Sequence, residues 1–265
     1  MTAAELIGIV GGSGFYSLLD DAEEHRVDTP YGAPSAPITV GQLAGRPVAF
    51  LPRHGADHRF APHVVPYRAN LWALRSLGVR QVLSLSAVGS LTLARPTGTL
   101  VVPDQILDRT HGREQTFFGD GQGVGHVSFA DPYCPRGRAA AVGTGQPVTD
   151  GGTLVVVNGP RFSSRAESQE FQRQQGSIIG MTAMPEAGLA RELALCYSTL
   201  ALVTDLDAGV EAGEGVTHAE VLASFAANLP RLRELLVATV LALPAEQGDC
   251  PCGDTAALPT SFVLP

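Results

Sequence analysis

The chain has 265 residues, a formal net charge of −8, and 45% hydrophobic against 17% charged residues, a balance that suits a large buried core and not a disordered segment. All 18 basic residues are arginine, which excludes a Schiff-base lysine, a pyridoxal-phosphate lysine and the lysine of a phosphate-binding P-loop. The acidic balance argues against nucleic-acid or anionic-membrane partners, which select clustered Lys and Arg, while a small anion needs only backbone N–H groups and one or two arginines.

The first residues show no basic stretch followed by an apolar core, and apolar runs such as Leu235 to Pro244 fall short of a bilayer span. Four cysteines in a chain this long do not suggest a disulfide scaffold. A soluble cytoplasmic protein is the expectation.

Along the chain, Glu5 to Val10 reads as a short strand entering the turn Gly11-Gly12-Ser13-Gly14, and Val48 to Leu51 as a strand ending at Pro52-Arg53-His54-Gly55. Tyr67 to Leu77 has helical spacing, with Leu71, Leu74 and Leu77 on one face and Gly78 as its stop. Gln81 to Ser86 reads as a buried strand, with further strands at Leu100 to Pro103, Thr153 to Val157 and Thr199 to Thr204. A helix is expected over Ala187 to Leu195. A longer one runs over Thr217 to Leu243, with Thr217 as N-cap, Glu220 three positions on, and Pro230 as a kink or interruption.

Strands alternating with helices predict a single α/β domain with a mostly parallel or mixed sheet, here residues 1–245, followed by a loosely held Gly-, Pro- and Asp-rich tail, 246–265. Polar residues gather where strands end, at Ser13, Arg53, Ser86 and Asp205, and open α/β sheets bind ligands there.

Each of these groups has a plain reading beside a chemical one. The glycine turn with Ser13 is a backbone cradle for an oxyanion or merely a turn, and it lacks the dinucleotide fingerprint because Ser17 stands where a small residue is needed. His54 and His58 are four apart, but Gly55 and the prolines at 52 and 62 work against a helix that would align them on a metal. Arg53 suits a bidentate phosphate contact or a surface charge. Phe162, between Pro160-Arg161 and two serines, is a core ring or a platform for a flat ligand. Asp205 and Asp207 close an apolar strand with period 2, as a turn or as a protonatable acid beside an acceptor.

Taken together, the blocks Gly11-Gly12-Ser13-Gly14-Phe15, Thr29-Pro30-Tyr31-Gly32, Arg53-His54-Gly55, Tyr67 to Leu74, Ala87-Val88-Gly89-Ser90-Leu91, Val102-Pro103-Asp104-Gln105, Phe129-Ala130-Asp131-Pro132, Gly159 to Ser168, Gly180-Met181-Thr182 and Thr204-Asp205-Leu206-Asp207 resemble the 5′-methylthioadenosine phosphorylases, within the trimeric purine nucleoside phosphorylases. The similarity runs from about Ile7 to about Leu236. It implies a nucleoside phosphorylase-like fold with a central mixed sheet flanked by helices. It also implies a pentosyltransferase that turns 5′-methylthioadenosine and phosphate into adenine and 5-methylthioribose 1-phosphate, in purine and methionine salvage.

By the same resemblance Ser13, Arg53, His54, Ser86, Ala87 and Thr182 form the phosphate site, and Met181 meets the ribose through its backbone. Phe162, Ser163, Asp205 and Asp207 hold the purine, with Asp205 and Asp207 carrying the catalysis. His58, Val221 and Leu222 belong to the 5′ pocket, with His126 lent by a neighbouring subunit, hence a homotrimer with its site at the subunit interface. Phosphate is a co-substrate, and neither a metal nor an organic cofactor is implied. Relatives acting on 6-oxopurines present Glu and Asn where Ser163 and Asp205 stand, so a 6-aminopurine is expected.

His218 departs from the most thioether-dedicated members, which place an apolar residue there. A broader specificity is therefore the alternative, taking adenosine, 5′-deoxyadenosine or 6-oxopurine nucleosides. Cys250-Pro251-Cys252 reads as a pair of reduced thiols in the tail, with a redox disulfide or metal hook as the other possibilities, and Cys134 and Cys196 read as buried and inert.

Overall fold

Apolar runs in which successive residues face opposite ways build the centre of the fold. The computed structural model describes residues 5–11, 19–119, 123–211 and 215–265, so the turn holding Ser13 lies outside the described residues. Its strands are β1 (Ile7–Gly11), β2 (Asp20–His25), β3 (Ile38–Leu43), β4 (Arg46–Pro52), β5 (Gln81–Ser90), β6 (Leu100–Val102), β7 (Gln105–Arg109), β8 (Val148–Asp150), β9 (Thr153–Val157), β10 (Gly176–Gly180) and β11 (Cys196–Leu206). Its helices are α1 (Tyr67–Ser76), α2 (Pro135–Val142), α3 (Arg165–Arg173), α4 (Ala183–Glu192) and α5 (His218–Ala242).

All eleven strands join one mixed sheet, in the order β2-β3-β4-β1-β5-β10-β9-β7, with β11 on β5 and β6, and β8 on β6. On β5, Leu83 and Leu85 face one layer and Val82 and Val88 the other; on β11, Leu200 and Leu202 oppose Ala201 and Val203. The first layer is closed by Leu232, Leu235, Leu236 and Val240 of α5 with Ala141 of α2, the second by Leu71 and Leu74 of α1 with Ala187, Leu189 and Ala190 of α4. Covered on both faces, the central strands read as continuous apolar runs.

The strand β5 is the hub. One edge pairs in parallel with β11 from Gln81 to Ser90; the other pairs with β1 over Gln81 to Ser84 and then, antiparallel, with β10 at Gly89 and Ser90. The expected mixed α/β architecture is thus borne out, and the helix at Tyr67 ends as read, Gly78 taking φ +93°. Among the described residues no helix is long and apolar enough to cross a membrane.

Three expectations change. The helix predicted from Ala187 begins at Ala183, because Glu186 and its neighbours are buried against the sheet and not exposed as a loop. The helix α5 runs through Pro230 uninterrupted, with the predicted Thr217–Glu220 capping box at its start. The tail past 245 is held: Cys250 and Cys252 are buried, and Phe262 packs edge-on to Phe118 at 4.9 Å and against Trp72 at 6.0 Å. Its polar composition conceals those few anchoring side chains.

At the hub two strands approach closely. A methyl on Gly89 would lie 2.8 Å from Asp205 Oδ2 and 3.1 Å from Ile179 Cγ2. Gly89→Ala is expected to cost about 1–3 kcal/mol through overpacking, seen as a lower urea midpoint with unchanged slope. A midpoint equal to the parent's would show that the strands part freely there.

Candidate active site

The parallel strands β1, β4, β5 and β11 deliver their C-terminal ends to one edge, where Arg53 leaves β4. Its guanidinium is 2% exposed and makes a two-point contact with Glu186 of α4, Nε to Oε2 at 2.7 Å and Nη2 to Oε1 at 3.0 Å. Nη2 also donates to Ser84 Oγ at 2.7 Å, Nη1 to the Leu85 carbonyl at 3.0 Å, and Arg53 N–H to the Gly11 carbonyl at 3.0 Å. Glu186 Oε1 further accepts from Ser84 at 2.9 Å and Tyr197 at 2.8 Å. Burial opposes the Arg53 charge, but Glu186 more than restores it and holds the guanidinium protonated. Arg53 therefore enters the site already neutralised, with one Nη1 hydrogen beyond the bonds named here. It differs in this from the bare phosphate clamp that its sequence position suggests.

His54 follows, half-buried, with Nδ1 2.8 Å from the Phe60 carbonyl and its ring stacked at 4.5 Å on exposed His58. Burial first, then the Arg53 charge, push its pKa down to about 4, so the ring is neutral near pH 7. On β5, even-numbered side chains face α4. Ser84 joins the Glu186 network, and Ser86 is buried with no hydrogen-bond partner for its Oγ among the described residues. Ala87 is the one exposed residue of the strand.

The exits of β9 and β10 are tied together by Arg113. It donates to the carbonyls of Asn158 at 2.8 Å, of Met181 at 2.9 Å and of Met184, and to Asn158 Oδ1 at 3.1 Å. Met181 is thereby fixed, and Thr182, buried, caps α4 without using its hydroxyl. Past β9, Arg161 pairs with Glu167 at 2.7 Å, and Glu167 also closes a capping box with Ser164. This turn carries half-buried Phe162 and Ser163.

The acid pair lies where β11 ends. A register shift between Val203 and Asp205 breaks the ladder, and the Thr204 hydroxyl lies 2.8 Å from Asp205 Oδ1. Burial pushes the Asp205 carboxyl up; the Thr204 hydrogen bond pulls it back, and the charges of Asp207 and Glu220 add to the rise. Asp207 is raised by burial as well, tempered by Ser168, Ser163 and the Ala208 N–H. Ser163 is near enough to act on Asp207 electrostatically, yet among the described residues neither Asp207 Oδ2 nor Ser163 Oγ has a partner in good hydrogen-bond geometry. Unpaired buried polar atoms are costly, and Ser86, Ser163 and Asp207 each carry one near the C-terminal ends of β5, β9 and β11.

The 5′ positions are less enclosed. His218 and Leu222 are exposed and Val221 half-buried on the first turns of α5, whose Glu220 reaches Asp205 electrostatically. His126 is exposed, and among the described residues no hydrogen bond, ion pair or ring contact links it to the other site residues. Sequence reasoning missed Glu186, Ser84, Tyr197 and Arg113. A carboxylate near the start of the mainly apolar run 183–195, which also holds Arg191 and Glu192, was the signal for Glu186; Arg113, in a polar loop, gave none.

The phosphorylase superfamily model matches residues 6–241, and the chain belongs to that superfamily. The chain is 60% identical over 260 residues to a purine nucleoside phosphorylase of Streptomyces coelicolor, covering 93% of this chain and 92% of that one. It is 55% identical over 262 residues to an S-methyl-5′-thioadenosine phosphorylase of Mycolicibacterium smegmatis, covering 98% and 100%. A crystal structure of methylthioadenosine phosphorylase sourced from an Antarctic soil metagenomic library matches with a TM-score of 0.86 at 42% identity, covering 95% of this chain and 91% of that one. The family expected from the motif blocks is borne out.

Removing one partner of a buried pair strands the other charge, so Glu186→Ala is expected to lower the unfolding free energy by about 3–5 kcal/mol. A loss below about 1 kcal/mol in urea titration would show that Arg53 has another counter-charge. Separately, between pH 6.5 and about 4 the unfolded chain takes up a proton that folded His54 refuses. Stability is therefore lost as pH falls through that window, by up to about 3 kcal/mol from this residue. Thermal midpoints against pH should fall less steeply for His54→Gln; parallel curves would remove His54 as the cause.

Proposed function

We propose that the chain cleaves 5′-methylthioadenosine with inorganic phosphate, yielding adenine and 5-methylthioribose 1-phosphate, as a cytoplasmic homotrimer whose site is completed by a neighbouring subunit. One observation carries the reading: beside the raised carboxyl of Asp205, the buried Ser163 Oγ and Asp207 Oδ2 make no hydrogen bond of good geometry to any described residue. A flat base with ring nitrogens and an exocyclic amine offers the complementary groups.

In this reading the bond from C1′ to the purine breaks with its electron pair passing to the base. Asp205 delivers or shares a proton at N7, and Asp207 accepts from the 6-amino group. Phe162 covers the base, and Met181 contacts the ribose through its backbone. Phosphate beneath the sugar stabilises the developing cation and forms the new bond at C1′. With Arg53 neutralised by Glu186, phosphate rests on the hydroxyls of Ser13, Ser86 and Thr182, the backbone at His54 and Ala87, and the remaining Arg53 N–H. No metal or organic cofactor enters the reaction. Exposed His126 is free to reach a neighbour's 5′ pocket, beside His58, Val221 and Leu222.

A broader nucleoside specificity is the second reading, favoured by exposed His218 on the first turn of α5 and by the name of the Streptomyces coelicolor relative. Base release from methylthioadenosine, adenosine and inosine, with and without phosphate, separates the cases. Adenine release that requires phosphate, with inosine inert, is expected; hypoxanthine release would favour the second reading, and cleavage without phosphate would make the enzyme a hydrolase. Adenosine turnover, if present, should drop in His218→Ala. Asp205→Asn should lower kcat about 100-fold or more with nucleoside binding retained. In the parent, kcat should fall as pH rises and Asp205 loses its proton, a limb displaced upward by burial.

A further inference from the structure

At the opposite end of β11 from Asp205, four thiols meet. Cys134 is the N-cap of α2, Cys196 opens β11, and Cys250 and Cys252 flank Pro251 in a 3-10 turn of the tail. All are buried, and they form a cluster of their own, apart from the apolar ones. Their Sγ atoms all lie within 4.8 Å of one another, Cys134 and Cys250 at 3.7 Å. Four sulfurs bound at 2.3 Å around a tetrahedral zinc ion stand about 3.8 Å apart. Two disulfides would need two separate pairs at about 2 Å.

Two of the sulfurs are met by N–H donors. Gly137 N–H points at Cys134 Sγ and Gln247 Nε2 at Cys196 Sγ, each at 3.4 Å, and the Arg136 guanidinium lies in electrostatic range of Cys196 and Cys250. Donors of this kind orient metal-bound sulfur and offset its charge. The ligands are also placed by backbone: Cys134 N–H donates to the Tyr197 carbonyl at 2.7 Å, Cys196 N–H to Arg80 at 2.9 Å, and Cys250 N–H to Gln247 at 3.2 Å. The Gln247 carbonyl in turn accepts from Arg136 at 3.0 Å.

We propose that Cys134, Cys196, Cys250 and Cys252 bind one zinc ion, a structural centre that pins the C-terminal segment to the starts of α2 and β11. Binding exchanges four thiol protons for the dication and leaves a centre of net charge −2 beside Arg136; no oxidant is consumed. A closed four-sulfur shell leaves no open position for substrate, so the centre is structural and not catalytic. Its consequence is positional: the segment beyond it crosses to the α1/α4 face, where Phe262 packs on Trp72, Phe117 and Phe118.

The test is metal content of the tag-free full chain, purified without chelator under thiol-protecting conditions. About one zinc per chain is expected by mass spectrometry of the elements, and cobalt(II) in its place should give the visible bands of a tetrahedral thiolate site. The paired substitution Cys250→Ser and Cys252→Ser should abolish zinc retention and lower the thermal midpoint. Should that variant not fold, metal content and thiol state of the parent decide alone. A parent that retains no zinc after incubation and dialysis, with all four thiols titrating, would overturn the proposal. So would an unreduced chain lighter by the hydrogens of one or two disulfides, or an iron–sulfur cluster.

Discussion

The ion pair between Arg53 and Glu186 is the interaction on which the arrangement of the strand ends depends. A buried pair of this kind repays its desolvation only when the remaining donors and acceptors are also met. Here they are met by Ser84 from β5, Tyr197 from β11, and the carbonyls of Leu85 and Val10. Five elements are thereby held in one register: β1, β4, β5, β11 and α4. The network lies on the α1/α4 face because the even residues of β5 and the odd residues of β11 point there. Moving either strand by one residue would turn Ser84 or Tyr197 to the other layer and strand the charges.

The same pairing shapes the chemistry open to the site. An arginine free to meet an anion contributes a full charge; one already met by a carboxylate contributes direction and one hydrogen. In the proposed reading, phosphate then rests more on hydroxyl and backbone groups, whose strength comes from being held in place and not from net charge. His54, kept neutral by burial and by Arg53, adds no positive charge either. An anion site without strong net charge binds its anion less tightly, which suits a co-substrate that must leave as part of the product.

Much of this was legible from the residues. The buried apolar runs Gln81 to Ser86 and Thr199 to Thr204, the stop at Gly78 and the capping box at Thr217 all report short-range physics, and each is found in place. The resemblance named the family and singled out Ser86, Ser163 and Asp207, each with a buried polar atom lacking a partner of good geometry among the described residues. What escaped were long-range pairings. Strand β2, Asp-Asp-Ala-Glu-Glu-His, is an exposed edge strand without any apolar signal. Arg113 acquires its meaning through partners at least 44 residues away along the chain, and Glu186 through an arginine 133 residues away. The four cysteines likewise looked like two inert thiols and a tail motif, because nothing local links positions 134, 196 and 250.

Strand β11 shows how these parts are reconciled in one segment. Its first residue joins the thiol cluster, Tyr197 supports Glu186, Leu200 and Leu202 fill the α2/α5 layer, and its end presents Asp205. The polar atoms left unpaired near that end weaken the folded state. They persist because the strand that presents Asp205 is anchored along its whole length, by β5 on one edge and by β6 on part of the other. A site with unmet polar groups on a freely moving loop would relax until those groups found water or each other. In the proposed reading, groups held beside that paired strand stay open for the base, and specificity follows because they cannot turn away.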